Sequence, residues 1–580
     1  MADITNGPKQ LNSKQEPPME KRLLLAFLLM AAVLFATPYF YRLVNPPRPV
    51  KPAPPAAAVV AKPAETAAAQ PPAAPESPAE AAAPVAPAQA TSATREDLFT
   101  IETSLYRVVL SNRGGVVRSW VLKKFKTGAG TPLELVSAPG AAKTGYPFAL
   151  TFRDKAPALD VNQALYTATP APGGLGVDYD FSDGKVAVHK SFRFDRNSYL
   201  SQVSSRVSQN GVGIPNLFQW RGGFGDAAVP AAASRQRIVF WDATGGKLHT
   251  EEAKSAKDGP VTESGNYSFA GIEDTYFAAV FSPHGTSSFV IRTVSDTVPG
   301  AVDKAEAPHA GAEVGGAAEN EFSLFVGPKD LDLLRKIDPR LEQMVDFGWF
   351  SLLAKPLFFL LNWLNDNLVH NYGWAIVLAT ILINFALLPM RLSSMKSMKR
   401  MQALKPQVDV INAKYKNVGL RDPKKAEQNA EVMELYKKHG VNPMGGCLPM
   451  VIQIPFFIAF YKVLTVAIEM RGASWLWVHD LSQPEQLAIR ILPVAMIVAQ
   501  FVMQKMTPNP SADPNQQRVM MLMPLIFGFM FYSVSSGLVL YWLTSNLVGI
   551  VQQWFINRSM PDIAPQPAVT SATKKGGSRR

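Results

Sequence analysis

The chain contains 580 residues, of which 47% are hydrophobic and 18% charged, and its formal net charge at pH 7 is +12. The positive charge does not indicate nucleic-acid recognition, because the basic residues concentrate in one loop between apolar segments and in the C-terminal tail. A single cysteine, Cys447, excludes an internal disulfide. Basic residues in short loops are typical of the cytoplasmic side of a membrane protein. We therefore expect a multi-pass membrane protein.

The N-terminus, residues 1–22, is predicted to be cytoplasmic and ends in a Lys-Arg pair before an apolar run at residues 23–41. A basic flank and an apolar run fit either a cleaved signal peptide or a permanent transmembrane anchor. The run is long for a signal peptide and ends in three aromatic residues, which favours an uncleaved anchor. Residues 42–95 are almost all Pro and Ala and predict a semi-rigid periplasmic linker.

Residues 96–329 contain short runs of β-forming residues separated by Gly, Asn, Asp and Pro, such as VVRSWVLKKF and SFVIRTV. This pattern predicts a large all-β periplasmic domain folded as one sandwich. The spacing of its polar residues matches no catalytic or metal-binding motif, so we expect no catalytic residue, no metal and no cofactor. The histidines and acids considered as a sugar site, and interpreted as scattered surface groups, are His189, His249, His284, Glu273 and Asp274.

Residues 330–373 predict amphipathic helices in the outer membrane–water interface, because Trp349 and Trp363 accompany an apolar face. The first core span follows at residues 374–390. Within it, Thr380 and Asn384 are four residues apart and therefore share one helical face.

Residues 391–446 predict a basic cytoplasmic helical hairpin that breaks at residues 417–419. Asp422-Pro423 is a good start for its second helix, with Asp as the cap and Pro at the first helical position. Either the charges of the hairpin only set the topology, or the hairpin meets the ribosome, a nascent chain or anionic lipid, and the sequence does not rank these partners. The residues assigned to cytoplasmic contacts are Arg391, Lys396, Lys399 and Arg400.

The remaining apolar runs predict four more transmembrane helices, which with the anchor and the first core span return the C-terminus to the cytoplasm. These helices are predicted at residues 447–468, 487–503, 519–532 and 538–555, joined by a periplasmic loop at 469–486, a cytoplasmic loop at 504–518 and a periplasmic turn at 533–537, with a basic cytoplasmic tail at 556–580.

Polar side chains recur at membrane depth in these helices, several of which also contain proline. Each polar group alone is most simply a helix-packing contact worth around 0.6 kcal/mol. Together they suggest a hydrated groove, because polar groups at this depth usually face a partner or water. The groove candidates are Thr380, Asn384, Gln453, Gln500, Tyr541, Trp542 and Asn546.

Four stretches in this order carry a family resemblance: FVGPKDLDLL (325–334), VNPMGGCLPMVIQIPFF (441–457), LSQPEQLAIRILPVAMIVAQFVMQKMTP (481–508) and SGLVLYWLTSNLVGIVQQ (536–553). They resemble the YidC family of membrane protein insertases. The resemblance implies a periplasmic β-supersandwich similar to sugar mutarotases. It also implies a groove open to cytoplasm and lipid in the bacterial inner membrane, with Thr380 and Trp542 at positions that touch clients.

The same resemblance implies particular partners and one departure. The expected partners are nascent membrane proteins, membrane lipids, Sec translocon components and the ribosome. The family pattern places a groove Arg five residues before the Pro that ends the first core span, and in this chain that position is Asn384. Either the charge is unnecessary here or Arg391 supplies it.

Two other functions are weighed against an insertase. An ion or solute transporter would use the polar intramembrane residues, but the core spans contain no Asp or Glu, which transporters usually carry. A carbohydrate enzyme tethered by its anchor would leave five further spans without a purpose. The sequence therefore favours an insertase that is not an enzyme.

Overall fold

A computed structural model describes residues 90–127, 130–226, 235–284, 289–299, 306–415, 424–442, 448–507 and 514–559. The predicted anchor, most of the Pro/Ala linker and most of the basic tail lie outside these residues. The same is true of the predicted hairpin break at 417–419 and of the Asp422-Pro423 helix start.

The N-terminal half of the described chain is built from β-strands joined by short turns. In the described residues they are β1 Leu98–Glu102, β2 Tyr106–Ser111, β3 Val116–Lys126, β4 Pro132–Glu134, β5 Leu150–Thr151, β6 Thr167–Pro170, β7 Gly176–Ser182, β8 Val186–Phe194, β9 Leu200–Gln209, β10 Val212–Gly213, β11 Leu217–Trp220, β12 Arg237–Asp242, β13 Lys247–Glu252, β14 Val261–Gly265, β15 Tyr267–Glu273, β16 Phe277–Pro283, β17 Phe289–Pro299, β18 Glu306–Gly315 and β19 Glu319–Pro328.

The strands form three antiparallel sheets. The largest runs β13-β12-β15-β16-β19-β9-β8-β7-β6, with β10 paired to β9. The others run β1-β2-β3-β4 and β14-β17-β18-β11-β5. Alternate residues of β8 are buried, as expected for a strand with one face on a core. Aromatic rings fill that core: Phe148 contacts Phe192 at 5.6 Å and Trp220 at 5.8 Å between centroids.

The domain is β-rich rather than all-β, because a short helix, α1 (Ala138–Thr144), interrupts the strands. The Ser137 side chain caps it by accepting a hydrogen bond from the Gly140 amide at 3.3 Å. Gly140 is required here, since a Cβ atom at this position would lie 1.6 Å from the Gly222 carbonyl oxygen. Helix α1 therefore approaches Gly222 so closely that only glycine fits at position 140.

Lys190 lies on the buried face of β8 and is fully buried. Its Nζ donates to the carbonyl oxygens of Gly114, Gly115 and Phe148 at 2.6, 3.2 and 2.8 Å. These three bonds satisfy the donors of an ammonium group, while burial lowers the pKa of Lys190 to about 7. Lys190 therefore joins β8 to two loops through the domain core.

Helices make up the second half of the described chain. They are α2 Leu331–Ile337, α3 Ser351–Leu364, α4 Tyr372–Ala386, α5 Leu388–Ala403, α6 Lys405–Lys414, α7 Lys424–Lys438, α8 Leu448–Val466, α9 Ile491–Met506, α10 Pro514–Phe531 and α11 Ser536–Ser559. Short 3₁₀ turns lie at Leu341–Met344 and Ile468–Met470, and a π-helical turn follows α3 at Asn365–Val369.

Among the described residues, no single helix is both long and apolar enough to cross a membrane by itself. The segments Ser351–Val369 and Tyr372–Ala386 meet these requirements only together, and they are bent by 115° relative to one another. Shorter apolar helical stretches are Gln453–Val466, Ile491–Met506 and Met521–Phe531. The predicted number of spans stays a prediction.

Several helix boundaries differ from the expected ones, and two of them bear on the site and its neighbouring loop. The span expected to end at residue 390 continues almost without interruption into α5, with Arg391 N bonded to Leu387 O at 3.1 Å. Pro389 is tolerated because it lies in the first turn of α5. Helix α9 begins at Ile491 rather than at residue 487, and Glu485 Oε2 accepts from the Leu492 amide in its first turn at 2.9 Å.

The described parts of the predicted hairpin pack around a small apolar core of their own. It consists of Met401, Leu404, Val408, Tyr436 and Val441. Polar contacts between α6 and α7 surround this core, including Lys414 Nζ to Glu431 Oε2 at 3.2 Å. The basic segment is therefore folded against itself rather than extended.

Candidate functional site

A cluster of polar side chains lies where α4, α8 and α11 meet. Asn384 on α4 is 4% exposed, and its Nδ2 donates to Thr380 O at 2.8 Å. The same nitrogen lies 3.4 Å from Ser545 Oγ on α11. From α8, Gln453 Nε2 donates to that hydroxyl at 3.2 Å. Ser545 is thus the point where the polar groups of three helices meet.

Arg391 extends this cluster with a positive charge. Its Nη1 donates to Gln552 Oε1 at 3.1 Å and its Nη2 to Gln453 Oε1 at 3.3 Å. Gln552 Nε2 in turn donates to the Asn384 carbonyl oxygen at 3.2 Å. The ion pairs of the described residues do not include Arg391, whose guanidinium contacts neutral acceptors there. We call Asn384, Arg391, Gln453, Ser545 and Gln552 the polar cluster.

Gly549 makes room for the arginine. A Cβ atom at this position would lie 3.2 Å from Arg391 Nη1 and 3.0 Å from Met503 Cε. Both distances are shorter than an ordinary van der Waals contact between two non-bonded atoms. The guanidinium therefore passes α11 at Gly549, where no side chain blocks it.

Thr380 lies one turn before Asn384 and is fully buried. Its hydroxyl donates to the Ile376 carbonyl oxygen of its own helix at 2.6 Å. Thr380 therefore contributes its carbonyl, rather than its hydroxyl, to the polar cluster.

Tyr541 and Trp542 lie on an aromatic side of the site. The Tyr541 ring stacks on Phe460 at 4.3 Å between centroids. Trp542 contacts Phe457 and Phe531, each at 4.8 Å. The Trp542 indole N–H lies 3.4 Å from Gln500 Oε1 on α9. Trp542 is therefore packed among aromatic rings, and its indole N–H faces the Gln500 amide.

Asn546 and the basic residues of α5 complete the sequence candidates. Asn546 Nδ2 is buried and has no hydrogen-bond partner among the described atoms. Lys396 and Arg400 are exposed, whereas Lys399 is 8% exposed. Arg391, which the sequence grouped with Lys396, Lys399 and Arg400 and also offered as the source of the groove charge, hydrogen-bonds within the polar cluster.

Two members of the polar cluster, Ser545 and Gln552, were missed by the sequence reasoning. They lie seven residues apart, as Asn384 and Arg391 do. Seven residues are close to two helical turns, so both pairs share a helical face. This repeated spacing of seven residues is the sequence feature that could have identified Ser545 and Gln552.

The residues weighed as a sugar site do not come together. His189 Nδ1 contacts Asp180 at 2.7 Å, the His249 ring stacks on Phe240, and His284 Nε2 contacts Ser323 Oγ at 3.2 Å. The expectation that the acids are surface groups is wrong, because Glu273 is 0% and Asp274 4% exposed. Glu273 pairs with Arg237 and Lys329, and Asp274 accepts hydrogen bonds from the amides of Tyr276 and Phe277. No group of His, Cys, Asp and Glu in the described residues is arranged to hold a metal ion.

Comparison with known proteins covers both halves of the chain. The family model described as "YidC periplasmic domain" matches residues 98–360, and the one described as "60Kd inner membrane protein" matches residues 363–563. A membrane protein insertase YidC from Syntrophus aciditrophicus is 35% identical over 562 residues, which cover 93% of this chain and 100% of the relative. The chain belongs to the YidC family of membrane protein insertases.

A second relative in the YidC family, from Cupriavidus pinatubonensis, is 37% identical over 427 residues and covers 69% of this chain and 73% of its own length. The solved structure entitled "Active YidC insertase crystal structure with the first transmembrane domain resolved" is 21% identical. It covers 80% of this chain and 93% of that chain, with a TM-score of 0.35. Family membership follows from the sequence relatives.

The predictions of a YidC-family chain, of an insertase and of a protein that is not an enzyme are confirmed. The chain is an inner-membrane protein with a large β-rich periplasmic domain and a helical membrane region. Its family function makes newly made membrane proteins its substrates.

Proposed function

We propose that the polar cluster is the part of the insertase that receives the polar flank of an incoming client, and that Arg391 supplies its positive charge. The observation that carries this proposal is the hydrogen bonding of Arg391 to Gln453 and Gln552, without a carboxylate among its described contacts. A guanidinium bound only to amides keeps its full charge and can attract an acidic client tail. The neutral acceptors orient it and leave its charge uncompensated.

The position of Arg391 supports this role. Asn384 occupies the place where the family pattern has an arginine, and Arg391 lies two turns further along the same helical face. Gln552 joins them, since its amide contacts both the Asn384 carbonyl and the Arg391 guanidinium. The charge is thus displaced towards α5 and the basic hairpin, and a client arriving from the hairpin meets it first.

The driving force for insertion is the burial of the client's apolar helix, of order 25 cal/mol per Å². The polar cluster lowers the barrier for the polar flank by offering it hydrogen bonds at membrane depth, where an unsatisfied polar group is costly. Tyr541 and Trp542 belong to α11, the helix that also carries Ser545 and Gln552. Trp542 is only partly buried, and its indole offers an apolar surface for the hydrophobic part of the client.

The proposed arrangement in the membrane keeps both termini and the α5–α7 segment in the cytoplasm, with the β domain in the periplasm. Exposed Lys396 and Arg400 support it, because basic residues mark the cytoplasmic side. The bend of 115° between the two segments around Asn371 suits a first helix along the outer interface and a second that enters the membrane. The ribosome, anionic lipid and Sec translocon components are the proposed further partners.

Cysteine cross-linking tests the proposed client path. In a Cys447→Ser background, Gln453→Cys should form a disulfide with a cysteine placed in the translocated tail of a stalled client. Val498→Cys is the control, because its side chain is 57% exposed on α9. Cross-linking of the tail to both positions equally, or to neither, would contradict the proposed path.

A further inference from the structure

A second group of buried charges lies far from the polar cluster, where the β domain meets the loop between α8 and α9 (residues 467–490). Glu273 at the end of β15 accepts from Arg237 Nη2 at 2.6 Å and from Lys329 Nζ at 3.1 Å. Lys329 also donates to the Met344 carbonyl oxygen at 3.4 Å. Lys329 lies within the FVGPKDLDLL motif, and the polar cluster contains no residue of this motif.

The α8–α9 loop inserts Arg471 into this region of the β domain. Arg471 forms an ion pair with Asp226, and the two side chains are 7% and 4% exposed. Its Nη2 also donates to the Lys126 carbonyl oxygen at 3.1 Å. The guanidinium lies 5.5 Å from the Tyr276 ring and 5.4 Å from the Phe277 ring, a distance at which cations are attracted by aromatic faces.

Asp274 follows Glu273 directly in the chain, and its carboxyl group is influenced by both Lys329 and Arg471. Its Oδ1 accepts from the amides of Tyr276 and Phe277 at 2.8 and 2.7 Å. Burial raises the pKa of Asp274 to about 6, although Lys329 and Arg471 act in the opposite direction. The group therefore brings together three basic and three acidic side chains: Arg237, Lys329 and Arg471 with Asp226, Glu273 and Asp274. We call these six residues the charged joint.

The other side of the α8–α9 loop is fixed to the membrane helices. Asn371 Nδ2 donates to Ser474 O at 2.8 Å, and the amide of Gly537 donates to Leu481 O at 2.9 Å. Trp475 packs on α4 so closely that a Cβ atom at Gly373 would lie 2.2 Å from its ring. The loop thus holds the first turns of α4 and α11 while Arg471 holds the β domain.

We propose that the chain's own α8–α9 loop docks on the β domain through the charged joint, to which it contributes Arg471, and that this contact fixes the orientation of the periplasmic domain relative to the membrane helices. Domains joined by one segment of chain move relative to one another unless their interface prevents it. Buried ion pairs contribute little net stability compared with apolar packing, but they fix geometry, because any displacement leaves a buried charge without its partner.

The test is the width of a distance distribution measured by double electron–electron resonance on the full chain in nanodiscs. Spin labels are placed at Lys185→Cys on the β domain and Gln486→Cys on the loop, both exposed positions, in a Cys447→Ser background. Arg471→Gln and Asp226→Asn should broaden the distribution about twofold or more, because the domain then moves as an ordinary linked domain. Arg471→Lys, which keeps the cation, should broaden it less.

The matched control is Arg206→Gln, which removes an ion pair with Glu319 whose side chains are 60% and 61% exposed on the same domain. It should leave the distribution unchanged. Parent-like widths in both Arg471→Gln and Asp226→Asn would overturn the proposal. Unfolding of the β domain in both variants, seen in its near-UV circular dichroism, would also overturn it, because the network would then belong to the domain core.

Discussion

The charged joint and the polar cluster both bury charge, but they do so in opposite ways. In the charged joint, every cation has a carboxylate close by, and Glu273 is shared between Arg237 and Lys329. In the polar cluster, Arg391 contacts only amide oxygens among the described residues. The first arrangement satisfies its charges internally and is suited to holding two parts of a molecule together. The second leaves a charge uncompensated and is suited to binding a partner that brings the opposite charge.

The two arrangements predict different effects when a charge is removed. Loss of a charge from Arg237, Glu273 or Lys329, which lie within the β domain, leaves an oppositely charged group buried without a partner, so it should appear in the stability of that domain. Loss of the Arg471–Asp226 pair, which joins the loop to the domain, should appear in the orientation of the domain. Loss of the charge from the polar cluster leaves only amides, which water or a neighbouring amide can satisfy, so it should appear in insertion.

The largest expected effect is that of Lys329→Met. Removing this ammonium, which is 4% exposed, leaves Glu273 with only Arg237. The free energy of unfolding of the β domain should fall by about 3–5 kcal/mol, as measured by urea denaturation of the detergent-solubilised chain. Lys185→Met, at an exposed position, is the control. An unfolding free energy equal to that of the parent would mean that Lys329 does not stabilise the β domain.

The next effect is a pH dependence that Asp274 gives to the β domain. Its pKa is raised from 3.8 to about 6 in the folded chain, first by burial. The folded state then binds the proton more tightly than the unfolded state, so the contribution of Asp274 is present near pH 4 and is lost as the pH rises through 6. Asp274→Asn cannot ionise and should lack this loss, which amounts to about 1–3 kcal/mol.

Thermal unfolding of the parent and of Asp274→Asn between pH 4.5 and 7.5 measures this loss. The unfolding temperature of Asp274→Asn should rise relative to that of the parent as the pH rises. Asp183→Asn is the control, because amide hydrogen bonds from Val186 and Lys185 lower the pKa of Asp183 and keep it ionised throughout. A constant difference for Asp274→Asn would show that the carboxyl group does not titrate in this range.

Arg391→Gln should act on insertion rather than on stability. The amide keeps the side chain polar but removes the charge, whose attraction to an acidic group at close range is about 1–4 kcal/mol. Insertion of an acidic-tailed client into reconstituted vesicles should slow about tenfold, which corresponds to about 1.4 kcal/mol. A neutral-tailed client should insert at the parent rate. Lys396→Gln removes the same charge from an exposed position of α5 and is the control; an equal loss there would assign the effect to net charge.

Asn384→Leu is expected to have the smallest effect. It removes the amide that contacts Ser545, an interaction between membrane helices worth about 0.6 kcal/mol, so polar-tailed clients should insert about threefold more slowly. Phe385→Leu is the control on the same helix, since that side chain is 58% exposed. If Asn384→Leu inserts polar-tailed clients as fast as Phe385→Leu does, Asn384 serves only in packing.

The sequence was sufficient for the features that depend on local spacing. The shared face of Thr380 and Asn384 follows from their separation by four residues, and the two side chains are both buried on α4. Strand alternation predicted a β domain, and the largest sheet has that alternation in β8. A short helix that needs Gly140 against Gly222 was not visible, because the close contact joins residues distant in the chain.

The features that depend on distant partners were not predictable. The sequence placed Arg391 in the hairpin and left open whether it supplies the groove charge, because its partners Gln453 and Gln552 lie on the distant helices α8 and α11. Arg471 lies in the predicted loop 469–486, whose other charged side chains are the acids Glu469, Asp480 and Glu485. Its partner Asp226 lies 245 residues earlier, and only the packing of the α8–α9 loop on the β domain brings them together.

The central claim is that Arg391 supplies the charge that the family pattern places at Asn384. Moving the charge tests it directly: insertion of an acidic-tailed client is timed for Arg391→Gln and for the double variant Asn384→Arg, Arg391→Gln. The two positions share a helical face and are joined through Gln552, so the double variant should recover the parent rate while Arg391→Gln alone stays slow. A double variant as slow as Arg391→Gln, or an Arg391→Gln variant as fast as the parent, would contradict the assignment.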